Sequence, residues 1–169
     1  MNIRHTVTSL FDGLINVLAF CGGAVTVGIT FLVGVDVVMR YTLNSPLENV
    51  FEITEHSLVF MTFLVAPWVL RHEQHVKMEG VLSHFSPKTQ AFINTMTSLL
   101  GALICLVLFW YGLQGTWDYY TRGLWFPGGM RIPQYPILSV IVVAYLLLFM
   151  QFLRRSHGYL IKWRTYGSG

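Results

Sequence analysis

Side chains able to do chemistry gather at a few places in this chain. Glu48, Glu52 and Glu55 recur at i, i+4 and i+7 with His56 directly after the last, a pattern that raises metal binding. Glu52-x-x-Glu55-His56 lacks the second histidine of the zinc-hydrolase patterns, so no metal is expected there. The helix dipole favours carboxylates in a first turn, which accounts for part of the stripe. Three acids in one line still repel each other, and at a membrane they call for an answering cation or an interfacial position. His72 and His75 stand three apart with His84 nearby, without a cysteine or an acidic cage, and read as solvated histidines. Asp36 and Arg40, acid first at i,i+4, are spaced for a local ion pair. Cys21 and Cys105 fall inside apolar runs and read as buried thiols. The chain has no Walker loop, dinucleotide-binding turn or nucleophile elbow, and no pair of intramembrane histidines to hold a haem. It is therefore not expected to be an enzyme, and no cofactor is expected.

The elements that must position these residues are set by composition. Of 169 residues 54% are apolar and 11% charged, where a soluble domain carries about 25% charged residues. Four stretches hold no charge at all: Gly13 to Val35, Ser57 to Leu70, Thr89 to Trp117 and Ile132 to Leu153. A helix needs about 20 apolar residues to cross the hydrocarbon, so three runs suffice alone and the second suffices if its helix begins near Val50. Period-two alternation is lacking, which excludes a β-barrel. The expected fold is an all-α membrane protein, one integral domain over 1–169, with helices near 10–38, 50–70, 87–119 and 133–154. A short interfacial helix is expected between the second and third, where Val76, Met78, Val81, Leu82 and Phe85 are interleaved with polar residues.

Lysine and arginine positions orient the chain. Arg4, Arg71, Lys77, Lys88, Arg154, Arg155, Lys162 and Arg164 lie on one side and Arg40, Arg122 and Arg131 on the other. Eight against three places both termini in the cytoplasm. The net charge of +3 thus reports topology, and no nucleic-acid partner is expected. Ser86 and Pro87 signal the start of the third helix, and Pro133 and Pro136 precede the fourth, expected to end at Arg154-Arg155. Two sets of small residues at four-residue spacing, Gly22/Thr26/Thr30/Gly34 and Thr97/Gly101/Cys105, are expected to form close-packing faces. The third loop is rich in aromatics and glycines, including Trp117, Tyr120, Trp125 and Gly128.

Several of these signals occur in one order. The first helix closes with Asp36-Val37-Val38-Met39-Arg40-Tyr41, followed by Asn44-Ser45-Pro46-Leu47 and the acidic start at Glu52 to Glu55. Arg71-His72-Glu73-Gln74-His75-Val76-Lys77-Met78-Glu79 then follows the second helix. With four helices and both termini inside, this resembles the small membrane subunit of tripartite ATP-independent periplasmic (TRAP) transporters, the DctQ-like family. The resemblance runs from the first helix to the fourth, and its most informative part is His75 to Glu79.

That resemblance implies a sodium-driven uptake transporter for an organic anion, divided among three proteins in the bacterial inner membrane and periplasm. The expected partners are a large TRAP membrane subunit, a periplasmic substrate-binding protein and membrane lipids. This chain would brace the large subunit and help position the binding protein. As subunit-interface candidates, Asp36, Arg40, Glu52, Glu55 and His56 are expected to cluster near the outer boundary, with Arg71, His75, Lys77 and Glu79 ordering the inner turn. An independent small carrier would need a titratable group at the membrane centre, which the helices lack. A membrane-anchor subunit of a redox complex would need another chain to complete the ligation of His56.

Overall fold

In a bilayer the backbone has no water to bond, so long uncharged segments close their hydrogen bonds as helices. The computed structural model describes residues 3–45, 47, 49–72, 86–125 and 133–165. Four helices make up nearly all of it: α1 (Ile3–Leu43), α2 (Val50–His72), α3 (Pro87–Arg122) and α4 (Tyr135–Thr165). Each is long and apolar enough to cross a membrane. The expected interfacial helix falls within 73–85, outside the described residues. An isolated bridge between Trp125 and Pro133 is the one extended pairing among the described residues.

Helix ends follow their local chemistry. Asn44, at φ 50°, takes the left-handed conformation that stops α1, and Asn49, at φ 66°, does so just before α2. Ser86 caps α3 by accepting the Thr89 N–H at 3.4 Å, with Pro87 in the first turn where no N–H is needed. Gly123, at φ 59°, ends α3: its N–H bonds Tyr120 O and the Leu124 N–H bonds Tyr119 O, the pair of contacts that defines a Schellman turn. At 41 and 36 residues, α1 and α3 extend about 60 and 54 Å, roughly twice the hydrocarbon thickness. They must tilt or emerge from the bilayer. Helix α4 runs past Arg154-Arg155 to Thr165: the segment has no proline, and it carries the cost of Gly158 in its interior, about 1 kcal/mol relative to alanine.

In space the helices are ordered α1, α2, α4, α3, with the main interfaces between neighbours in that order. The result is an open layer. Antiparallel α3 and α4 keep one register along their whole length: Tyr120 meets Tyr135, a Cβ on Gly112 would touch Val142, Gly101 lies under Phe152, and Phe92 meets Trp163. The α3 side of this contact is Ala91, Thr95, Ser98, Ala102 and Cys105, all buried, at alternating steps of four and three. Helices α2 and α4 run parallel, and Phe63 packs edge-on against Tyr145 at 5.4 Å. Hydroxyls within the layer satisfy themselves, as Thr26, Thr62, Thr95 and Thr116 each donate to the carbonyl one turn back.

The small-residue faces depart from expectation. Gly22 is buried, Thr26 half-buried, and Thr30 and Gly34 are exposed. Thr97 is likewise exposed while Gly101 and Cys105 face α4. Four residues turn a helix by about 400°, so a four-residue repeat drifts off a straight contact within two or three steps. Cys21 is exposed rather than buried, because the outer surface of α1 has no neighbour within the described residues.

Candidate functional site

Polar side chains are concentrated at the two ends of the layer. At the end where α1 stops and α2 starts, Asp36 is the organising residue: it is only 5% exposed despite its charge. Its Oδ2 accepts from Arg40 Nη2 at 2.9 Å and its Oδ1 accepts from the Leu47 N–H at 2.9 Å. The expected i,i+4 pair is present, and the same carboxylate also fastens the connecting loop. Arg40 itself is 61% exposed, so the net worth of the ion pair rests on the buried acid.

One and two turns further, Glu52 is half-buried and Glu55 exposed. His56 is half-buried, and its Nδ1 donates to Glu52 O at 2.6 Å, which fixes the proton on that nitrogen. Glu48 lies outside the described residues. The structure therefore brings Asp36 and Arg40 into direct contact and sets Glu52, Glu55 and His56 on the helix that follows. Among the described residues no group of three His, Cys, Asp or Glu side chains is placed to hold a metal ion.

At the opposite end, sequence reasoning named Arg71 but missed its partners. Arg71 reaches across to α1, with Nη2 3.3 Å from Asp12 Oδ2 and Nη1 3.4 Å from Asn16 Oδ1. Arg154, from α4, meets the same carboxylate at 2.7 Å and lies 5.3 Å over the Phe11 ring. One acid thus ties three helices together. The parallel offset of α2 and α4 that sets Phe63 edge-on to Tyr145 also brings Arg71 and Arg154 to one level. The signal was available in outline: Asp12 is the first acid in the chain and stands immediately before the first uncharged run. Its partner is 142 residues away, which no spacing rule reaches. His75, Lys77 and Glu79 lie outside the described residues.

Between these clusters, α1 and α2 leave a groove of 780 Å³ whose lining includes Asn16, Gly23, Thr26, Met61, Ala66 and Trp68. Trp68 stacks on His72 at 4.0 Å, close to the Arg71 end. In the last turn of α3 Asp118 pairs with Arg122 at 2.8 Å, and beyond it Gln134 bonds back to Leu124 O and Trp125 O, closing the base of the aromatic loop. Residues 126–132 are outside the described residues.

Four spanning helices, with charge held to the ends, define a multi-pass membrane protein whose described residues bear no charged group in the middle of a span. The sequence profile of the tripartite ATP-independent periplasmic transporters, DctQ component, matches residues 29–158. With well over half of its length matched, the chain belongs to the DctQ family of TRAP transporter components. A protein of Haemophilus influenzae, provisionally named a TRAP transporter small permease protein, is 25% identical over 95 residues. The match spans 56% of this chain and 56% of that relative. No solved structure matches the chain.

Proposed function

We propose that this chain is the scaffold subunit of a binding-protein-dependent uptake transporter in the bacterial inner membrane, with both termini in the cytoplasm. It braces the large membrane subunit and helps position the periplasmic binding protein, while the large subunit carries an organic anion inward on a sodium gradient. What supports this reading most is the exposure of α1. Only 6% of its most apolar stretch is fully buried, so the face of α1 turned away from α2 is available to a neighbour. A subunit that moved a polar solute alone would need polar groups along a path, and the described spans carry their charges at the ends. The family assignment supports the same division of labour.

The outer cluster supplies the interface candidates. Asp36 is occupied within the chain, whereas Glu55 is exposed on α2 and meets no cation among the described residues. In this reading Glu55 faces a basic side chain of the large subunit, with Glu52, His56 and Arg40 alongside. Arg71, His75, Lys77 and Glu79 belong to the cytoplasmic side of the same assembly. Deletion of this chain should abolish uptake in membrane vesicles while the soluble component still binds its substrate. Uptake at the full rate by the large subunit alone would defeat the proposal. Glu55→Lys should reduce co-purification of the large subunit by about tenfold, the loss expected for exchanging attraction for repulsion at a desolvated contact.

A further inference from the structure

The groove between α1 and α2 has a definite length and only one charged end. It runs from Asn16 to Thr26 on α1 and from Leu70 back to Met61 on α2, about 15 Å along the axes. That is half of a hydrocarbon core about 30 Å thick. A helix of a partner subunit crosses the whole membrane and would ask for a groove that continues past the midplane. This one begins beside the polar cluster and stops halfway, the reach of a lipid tail in one leaflet.

The polar end fits a phosphate. Arg71 and Arg154 share the single carboxylate of Asp12, which leaves one positive charge uncompensated within that trio. The sharing is unequal. Arg154 holds Asp12 at 2.7 Å, a full charge-assisted bond, while the contacts of Arg71 with Asp12 and Asn16 lie between 3.3 and 3.5 Å. The side chain of Arg71 is 32% exposed, and Asn16, which it touches, lines the groove. A loosely held guanidinium therefore stands at the mouth of an apolar channel of half-membrane length.

We propose that this groove binds one phospholipid from the leaflet at the Asp12 end, an acyl chain lying between α1 and α2 and its phosphate held by Arg71. The site requires only that α1 and α2 cross a bilayer, so it stands or falls separately from the transporter assignment. Its chemistry makes Arg71 the headgroup ligand and Gly23 the floor of the tail channel. A Cβ at Gly23 would meet nothing within 4 Å, so a larger residue there fills the groove without disturbing the α1–α2 contact.

The test is native mass spectrometry of the purified full chain in detergent, delipidated and then titrated with phosphatidylglycerol. One lipid should be retained per chain. Arg71→Gln should weaken retention by about tenfold, the loss of one charged hydrogen bond. Gly23→Leu should abolish it with helix content and elution unchanged. Diacylglycerol, with tails but no phosphate, should be retained weakly and equally by wild type and Arg71→Gln, and millimolar inorganic phosphate should not displace the lipid. Should Arg71→Gln fail to fold, Gly23→Leu decides the matter alone. Undiminished retention by Gly23→Leu overturns the proposal, as does a photocrosslinker at position 23 that captures a protein instead of lipid in native membranes.

Discussion

The α1–α2 and α3–α4 hairpins are both antiparallel and apolar, yet they are held together differently. Along α3 and α4 the contact is distributed: small buried residues from Ala91 to Cys105 line one side, and aromatic pairs close both ends. Along α1 and α2 the burial is patchier: Gly22 against Val65, the fully buried Ile15 and Pro67, and the terminal polar clusters, with the groove lying open beside them. The buried share of the most apolar stretch rises from 6% in α1 to 28% in α4. Since lipid tails are as apolar as leucine, helices in a bilayer associate through close packing and polar contacts. The α3–α4 pair has enough of these to act as a rigid unit, whereas α1 is left available for another surface.

Substitution at Gly22 and at Gly101, two of the three glycines that face a neighbour, separates the α1–α2 contact from the distributed one. A Cβ on Gly22 would stand 2.5 Å from a methyl of Val65, with Leu64 Cβ and Met61 O also near. Valine is stiff at χ1 and its methyl sits one bond from Cβ, so the helices themselves must part. Gly22→Leu should cost about 3 kcal/mol, the upper part of the overpacking range, in a thermal unfolding series in detergent. Gly101→Leu meets the outer edge of the Phe152 ring at 2.8 Å, which can rotate away while the rest of the seam holds. It should cost less, about 1–2 kcal/mol. Equal losses would show that the α1–α2 contact is as broad as that of α3–α4.

The number and type of helices were legible in the sequence because hydrocarbon thickness imposes a run length that composition displays directly. The start of α3 at Ser86 and Pro87 has local chemistry that residue type carries, whereas its end at Gly123 lies past the expected 119. What faces what did not follow as readily. The set Gly22 to Gly34 looked like one face by its four-residue repeat, but the helical drift sends Thr30 and Gly34 to the outside. The Asp36–Arg40 pair could be read from i,i+4 spacing, and its further bond to Leu47 could not, since it depends on how the loop returns. Asp12 went unnoticed for the same reason on a larger scale: Arg71 and Arg154 reach it only after three helices have packed.

The polar clusters offer smaller tests of the same contrast. Asp12→Ala leaves two partly buried arginines facing each other and should cost about 1–3 kcal/mol, the penalty of stranding a charged partner. Arg154→Gln alone should cost less, because Arg71 then has Asp12 to itself. Combined in a double-mutant cycle the two changes should be non-additive, and additivity would mean that the clasp is not a unit. At the other end Asp36→Asn keeps an oxygen to accept the Leu47 N–H, so it should be milder than Asp36→Ala, which loses both bonds and should cost about 1–2 kcal/mol.

Asp118 and Arg122 make the smallest prediction and a useful control. Their 2.8 Å contact is as short as the other ion pairs, but both side chains are more than half exposed, at 52% and 66%. Coulomb attraction there is screened by water and salt, and two side chains lose freedom to make it. Arg122→Ala should therefore change unfolding by at most about 0.5 kcal/mol, with no effect on the α3–α4 register. A larger loss would mean that this pair is shielded in the membrane, and the end of α3 would then belong with the buried clusters rather than with the exposed surface.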